Sequence, residues 1–234
     1  LKGETENLAS EKIPFKRKVE FKNISVSFDS SKILKKINLS IRKGEKIALI
    51  GPSGSGKTTF LDIFMGLVRP DEGIIEIDGQ YLNKEKIKDW RSKIGYLPQE
   101  NYLINDTVAE NISFGREINP TKMSESIKSS YLSSDPYFNI SKEKKIGELG
   151  NTLSGGQKQR LMIARLAYGK PEILILDEPT SALDSENEEK IMSEVFKSFK
   201  EETIIIVSHR DEAIKGCDRT IKIENGQIEE VASN

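Results

Sequence analysis

Cysteine and histidine each occur only once in this chain of 234 residues, as Cys217 and His209. A single cysteine excludes an intrachain disulfide and suits a reducing compartment. Long apolar runs are also missing, because no stretch approaches the roughly 20 residues that a membrane-spanning helix needs. The longest runs, at residues 173–176 and 204–207, have the length of buried parallel strands.

Net charge is close to zero, since 36 Lys and Arg residues balance 37 Asp and Glu residues to give −1. Nucleic-acid-binding domains usually carry a basic excess, so we expect no nucleic acid among the partners. Lysines and arginines do cluster at residues 84–93, but acidic residues are interspersed there. We interpret that cluster as a solvated face.

The sequence GPSGSGKTT at residues 51–59 is the feature around which the chain is organised. It follows an apolar run and precedes an amphipathic one, which predicts a strand, a glycine-rich turn and a helix, as in a phosphate-binding loop. Glycines allow backbone amides to approach phosphate oxygens, and the helix N-terminus adds its positive dipole end. Lys57 would then reach the β- and γ-phosphates, and the Thr58 hydroxyl would hold Mg²⁺.

Strands and helices alternate along most of the chain, which predicts a mostly parallel sheet with helices on both faces. Before residue 46, two alternating segments predict a small antiparallel sheet, in which residues 19–28 form an edge strand or a bulged strand. Hairpins are predicted at Asp78-Gly79 and at residues 224–226. The fold class is therefore α/β.

Helix starts are indicated where Ser or Thr precedes Glu or Gln by three residues, the spacing of a capping box. Residues 107–110, 154–157 and 185–188 have this pattern. The first helix is predicted to continue to about Lys128, the second to Tyr168 and the third to Phe199. Residues 129–145 have no clear pattern.

Polar residues directly follow predicted strands at four places in the chain: the phosphate-binding loop, Gln99, the pair Asp177-Glu178, and His209. In parallel sheets, ligands bind beyond the carboxyl ends of the strands. Asp177 is suited to hold Mg²⁺, and Glu178 to accept a proton from the water that attacks a γ-phosphate. His209 could steady the γ-phosphate and orient that water, and the amide oxygen of Gln99 could bind Mg²⁺ or water.

These motifs together resemble the nucleotide-binding domain of an ATP-binding cassette (ABC) transporter from about residue 19 to residue 227. The chain has the Walker A loop, the Q-loop glutamine, the signature LSGGQ at 153–157, the Walker B strand, the D-loop SALD at 181–184 and the switch histidine, in the order of the family. Six motifs in one order are not expected by chance.

The resemblance implies a RecA-like P-loop core with a mostly parallel sheet, an N-terminal antiparallel β-subdomain and an inserted α-helical subdomain at about 101–168. ATP and Mg²⁺ are the implied cofactors. The implied catalytic residues are Glu178, His209 and Gln99, and the implied metal ligands are Thr58, Gln99 and Asp177. The implied nucleotide-binding residues are Phe28, Gly51, Ser53, Gly54, Ser55, Gly56, Lys57, Thr58, Thr59, Ser154, Gly155, Gly156, Gln157 and Asp184.

The family also implies partners. Its nucleotide-binding domains form head-to-tail dimers in which the signature of one copy closes on ATP held by the Walker A loop of the other. Residues 1–18 resemble a linker from an upstream region, with residues 19–234 as the nucleotide-binding domain. The resemblance implies that the domain lies at the cytoplasmic face of the cell (inner) membrane. There it would be part of a membrane protein with an N-terminally fused transmembrane domain. The fragment by itself is expected to be soluble.

Residues 107–115 and 146–148 resemble the exporter branch, in which the stretch containing Glu148 touches the membrane domain. Three residues depart from that branch: Phe28 stands where a tyrosine usually stacks on adenine, Leu149 replaces Arg or Gly, and Pro179 is more typical of importer subunits. A free-standing importer subunit therefore remains an alternative, and a non-transport ABC ATPase is a weaker one. The transported substrate is not encoded in this chain.

Overall fold

The computed structural model describes residues 11–29, 31–100, 102–135, 138, 145–179 and 185–231. It divides into two compact units. The first comprises Leu1–Lys43, Gly51–Ile94 and Ile223–Glu229, and the second comprises Gly44–Ile50, Gly95–Lys222 and Glu230–Asn234.

Ten strands are described, and in chain order they are β1 (Lys18–Phe28), β2 (Ser31–Arg42), β3 (Lys46–Ile50), β4 (Glu72–Ile77), β5 (Gln80–Tyr81), β6 (Ile94–Leu97), β7 (Ile173–Asp177), β8 (Thr203–Val207), β9 (Arg219–Glu224) and β10 (Gln227–Val231). The described helices are α1 (Lys57–Phe64), α2 (Lys84–Ser92), α3 (Val108–Ser113), α4 (Pro120–Ser129), α5 (Gly155–Gly169), α6 (Ser185–Ser198) and α7 (Asp211–Ile214), with short 3₁₀ turns at Leu132–Ser134 and Glu148–Gly150.

The first unit contains an antiparallel sheet in the order β2-β1-β4-β5. The predicted antiparallel sheet is thus confirmed, but the expectation that β1 could be an edge strand is wrong. β1 lies between β2 and β4 because β4, which follows α1 in the chain, pairs with its free side. The expected irregularity is present, with register shifts between Phe21 and Ile24.

Aromatic side chains fix helix α1 within the first unit. The Phe21 ring on β1 lies 5.0 Å from Phe60 and 5.9 Å from Phe64, both on α1. Trp90 on α2 lies 5.6 Å from Phe64, and its indole donates a hydrogen bond to the Phe64 carbonyl oxygen at 2.7 Å. The helix that follows the phosphate-binding turn is therefore anchored at its C-terminal half.

The second sheet has the order β10-β9-β3-β8-β7-β6. Strand β3 pairs in parallel with both β8 and β9, and β8 pairs in parallel with β7. Strands β7 and β8, which both lie inside this sheet, are buried almost throughout, as their apolar runs predicted. The mostly parallel sheet predicted from the sequence is confirmed.

Helices pack against this sheet within the second unit. Their buried residues join those of the sheet in one apolar core, which includes Leu161, Leu174, Ile191, Ile204 and Ala213. Among the described residues, no helix combines the length and the apolar character needed to cross a membrane.

Several local predictions are confirmed and others are wrong. The hairpins at Asp78-Gly79 and before Gln227 are present, and α5 begins and ends as expected. The single helix predicted from residue 107 to 128 is instead two, because Phe114 and Gly115 adopt positive φ and Pro120 starts α4. Helices α2 and α7 were not predicted.

Candidate functional site

The turn at residues 51–56 has a backbone that requires glycine. Gly51, Gly54 and Gly56 have φ values of 145°, 75° and 106°, which L side chains rarely adopt. A Cβ atom on Gly51 would lie 2.1 Å from the carbonyl oxygen of Ile223. The predicted strand, turn and helix are all present, since β3 precedes the turn and α1 follows it.

Polar groups of this turn are suited to an anion. Gly56 occupies the N-cap position of α1, and no described side chain caps this helix start, which is the kind of position where anions bind. The Ser55 hydroxyl is buried and has no hydrogen-bond partner among the described residues. The Lys57 ammonium bridges the turn by donating to the carbonyl oxygens of Gly51 and Pro52, at 2.6 Å and 2.9 Å. Phosphate oxygens would give the Ser55 hydroxyl an acceptor and would offer Lys57 an alternative to these two carbonyl oxygens.

Two further residues of the first unit, one predicted to contact the nucleotide base and one predicted to bind the metal ion, are accessible. Phe28, the last residue of β1, keeps 49% of its surface exposed, although it is a large apolar side chain. Thr58, in the first turn of α1, is also exposed. An exposed aromatic face and an exposed hydroxyl fit the predicted contacts with a base and a metal ion, respectively.

In the second unit, the structure brings together three predicted catalytic residues. Glu178 follows β7 and accepts a hydrogen bond on Oε2 from the Gln99 side-chain amide at 3.0 Å. Its other oxygen, Oε1, lies 3.7 Å from Nε2 of His209. The backbone of Glu178 has a positive φ of 43°, and its amide donates to the Val207 carbonyl oxygen at 2.8 Å. Strand ends therefore converge on one carboxylate, as the parallel sheet predicted.

Tyr96 is a site residue that sequence reasoning missed. Its hydroxyl donates to Oδ2 of Asp177 at 3.3 Å, so it contacts the predicted metal ligand from the neighbouring strand β6. The available signal was its position on that strand, three residues before Gln99. Such a contact orients a carboxylate that binds a metal.

The signature sequence opens α5 with the predicted capping box. The Ser154 hydroxyl accepts from the Gln157 amide at 3.3 Å, and the Gln157 side-chain oxygen accepts from the Ser154 amide at 2.9 Å. A Cβ atom on Gly156 would meet nothing within 4 Å. The folded chain itself therefore gives no packing reason for glycine at this exposed helix start.

Arg165 holds α5 against its neighbours in the second unit. Its guanidinium donates to the carbonyl oxygens of Asn111 and Tyr102, both at 2.8 Å, and lies 4.1 Å from the centre of the Phe114 ring. Burial lowers the pKa of Arg165 to about 10, which still leaves it charged near neutral pH. The signature helix and the segment after Gln99 are thus joined by one cation.

Comparison with known proteins identifies the family. Residues 34–181, well over half of the chain, match the profile described as ABC transporter.

The chain belongs to the ABC transporter family.

Relatives of this ABC chain include an ATP-binding cassette sub-family B protein and a lipid A-core flippase. It is 40% identical over 219 residues to ATP-binding cassette sub-family B member 5 of Mus musculus, covering 91% of this chain and 17% of that protein. It is 38% identical over 212 residues to an ATP-dependent lipid A-core flippase of Ralstonia nicotianae, covering 88% of this chain and 36% of the flippase. The chain therefore spans well under half the length of these relatives.

A solved structure is similar in fold. The structure of a bacterial Atm1-family ABC exporter with ATP bound superimposes with a TM-score of 0.83 at 30% identity, covering 95% of this chain and 40% of that one. The predicted fold class and the predicted exporter-type nucleotide-binding domain are confirmed.

Two sequence features of this ABC chain are not part of the arrangement described above. Asp184 and the rest of the D-loop lie outside the described residues. Cys217 is in the described part, where burial and the neighbouring Asp218 raise the pKa of its thiol to about 12. A thiol of that pKa is not a nucleophile near neutral pH.

Proposed function

We propose that this chain is the domain of an ABC exporter that binds and hydrolyses ATP, and that ATP-driven dimerisation of two such domains powers transport or flipping of a substrate across a membrane. The observation that carries the proposal is the glycine turn before α1, with its uncapped helix start, its buried Ser55 hydroxyl and the Lys57 ammonium. Triphosphate oxygens are suitable acceptors for donors of this kind.

Mg²⁺ fits the donor set that the sequence provides. No cluster of three or more His, Cys, Asp or Glu residues suited to a metal occurs in the described ranges, and Mg²⁺ characteristically uses one or two protein oxygens plus substrate phosphates. Thr58, Gln99 and Asp177 would hold the ion, with Tyr96 orienting Asp177. Bound there, Mg²⁺ would neutralise charge on the phosphates during transfer.

Hydrolysis is assigned to the cluster around Glu178. Its carboxylate would accept a proton from the attacking water, and the His209 ring, 3.7 Å from Oε1, would orient that water and the γ-phosphate. In the present arrangement, Oε2 accepts from Gln99. The amide oxygen of Gln99 would hold the metal ion, and Glu178 would take up the proton on a carboxylate oxygen.

A second copy of this chain is the proposed partner at the signature. Ser154 and Gly155 are exposed, and the space next to Gly156 is open, so that another molecule can approach this helix start. Backbone amides at a helix N-terminus bind anions, which fits ATP held by the other copy. Because two nucleotides would join the copies, hydrolysis would release them.

The proposed setting is a longer protein. Since the chain covers 17% and 36% of the two relatives described above, we infer a fused transmembrane domain, with this domain at the cytoplasmic face of the inner membrane. One of these relatives is a lipid A-core flippase, so lipid-linked substrates are compatible with the proposal.

The test uses Glu178→Gln, which keeps the side-chain shape and removes the base. The variant is expected to bind Mg-ATP, to form an ATP-dependent dimer on size-exclusion chromatography and to hydrolyse ATP at least about 100-fold more slowly than the wild type. Glu189→Gln, at an exposed position of α6, is the control and should hydrolyse normally. Near-normal hydrolysis by Glu178→Gln would refute its assigned role, and absence of ATP binding to the wild type would refute the proposed function.

A further inference from the structure

Glu188, in the first turn of α6, is a buried carboxylate that the proposed mechanism does not use. Its side chain has 0% exposure, and its Oε2 accepts a hydrogen bond from Arg210 at 2.7 Å. Glutamate is almost never fully buried unless it is paired. The Arg210 side chain is 39% exposed, so only the carboxylate of the pair is fully buried, and an ion pair of this kind is weak evidence for a purely stabilising role.

Arg210 directly follows the only histidine of the chain. Its backbone amide donates to the Ser208 hydroxyl at 3.1 Å, which closes a tight turn around His209. Ser208 is itself buried and comes directly after β8. The turn is therefore held at its first residue by the sheet and at its third residue by α6, through Glu188.

The His209 side chain is less firmly held by its own contacts. Its side chain is 49% exposed and lies 3.7 Å from Glu178, a distance too long for a hydrogen bond. The direction of a half-exposed ring depends strongly on the backbone that carries it. Whatever fixes residues 208–210 thus fixes where the imidazole points.

We propose that the Glu188–Arg210 ion pair is a positioning pair that sets the direction of the His209 ring toward Glu178, and that it acts on hydrolysis through His209. This role deepens, and rests on, the ATPase function proposed above. Arg210 is suited to it because a planar guanidinium fixes direction as well as charge.

A matched control lies on the same helix. Glu194 on α6 also pairs with an arginine, Arg160, at 3.3 Å, and its side chain is 11% exposed. Glu188→Gln and Glu194→Gln therefore make the same chemical change in two ion pairs of α6 whose carboxylates are buried or nearly so. Only the first pair includes the neighbour of His209.

The first experiment is independent of activity. Since His209 is the only histidine, NMR of the 234-residue chain labelled with ¹³C,¹⁵N-histidine gives one set of imidazole signals. At fixed pH, these signals are expected to move in Glu188→Gln and to stay unchanged in Glu194→Gln. Unchanged signals in both variants, or equal movement in both, would overturn the proposal.

The second experiment measures ATP hydrolysis. In Glu188→Gln, kcat is expected to fall about tenfold with the KM for ATP changed by less than about twofold, because a misaligned group affects the transition state more than binding. In a His209→Ala background, the same substitution should reduce kcat no further. An equal loss with and without His209 would overturn the proposal.

Two outcomes separate this role from the function on which it rests. Wild-type protein that neither binds nor hydrolyses ATP would refute the ATPase function, while the NMR comparison still decides whether the pair positions His209. If Glu188→Gln does not fold, Arg210→Lys, which keeps the charge but loses the planar fork, replaces it in both experiments, with Arg160→Lys as its control. Equal effects of these two lysine variants would also contradict the proposal.

Discussion

Two helix starts carry the predicted phosphate contacts, and they differ in how their amides are satisfied. Helix α1 begins after Gly56, which offers no capping side chain, and a buried hydroxyl beside it lacks a partner among the described residues. Helix α5 begins with a complete capping box between Ser154 and Gln157. Among the described residues, no side chain caps the first helix start, whereas the second is capped by its own side chains.

This difference separates two kinds of binding site. A helix start without a side-chain cap can bind an anionic ligand directly. We therefore expect α1 to provide most of the ATP affinity of one copy. The box on α5 engages the amides of Ser154 and Gln157 and leaves those of Gly155 and Gly156 for a further contact. The signature is thus suited to close on a nucleotide that is already bound elsewhere.

The largest expected effect compares two glycines. Gly51→Ala should destabilise the fold by about 3 kcal/mol or more, because its Cβ would lie 2.1 Å from a carbonyl oxygen and φ is 145°. Gly156→Ala has open space, and alanine suits a helix better by roughly 0.5–1 kcal/mol, so folding should be unchanged or slightly more stable. Urea unfolding of both variants measures the difference.

The same pair of variants also distinguishes an effect on folding stability from an effect on contact with the second copy. Gly156→Ala should weaken the ATP-dependent dimer on size-exclusion chromatography, since a methyl group would occupy the surface on which the second copy closes. A normal dimer from Gly156→Ala, or equal stability of the two variants, would contradict the contrast between the two helix starts.

A smaller effect is expected from Lys57→Ala. The ammonium now donates to Gly51 and Pro52, and it would exchange these acceptors for phosphate oxygens. A hydrogen bond to a charged group contributes about 1.5–3 kcal/mol, so the affinity for Mg-ATP should fall about 100-fold, measured by isothermal titration calorimetry. Lys88→Ala, at an exposed position of α2, is the control and should bind normally.

The smallest effect is expected from Ser154→Ala. Loss of the cap on α5 should reduce the free energy of unfolding by about 1 kcal/mol, measured by thermal or urea denaturation. ATP binding to a single copy should not change, because α1 provides it. If Ser154→Ala instead reduced monomer affinity as much as Lys57→Ala, both helix starts would contribute equally and the comparison would be wrong.

Features formed by residues that are close together in the sequence were predicted well from local patterns. The capping box at Ser154 depends on residues three apart, and the glycine turn depends on six consecutive residues, so both could be predicted. The capping box predicted at residues 107–110 has its threonine half, but Asp106 rather than Glu110 accepts from the Thr107 amide. Side chains of residues 185–187 are not described, so the third cap stays a prediction.

Long-range pairing could not be predicted in the same way. The central place of β1 depends on β4, which lies more than forty residues away in the chain. Helix α2 was missed because its charged residues suggested only a solvated face, although Trp90 on its other side is fully buried. Tyr96 was missed because its partner, Asp177, is 81 residues away and becomes a neighbour only when β6 and β7 lie side by side.

The left-handed backbone of Glu178 has a consequence for protein engineering. An L side chain in this conformation is less stable than glycine there by an amount on the order of 1 kcal/mol. Substitutions selected only for thermostability would therefore favour glycine or asparagine at the position that the proposed chemistry requires to be acidic. A stabilised version of this domain obtained without an activity screen would tend to become a tight nucleotide binder without turnover.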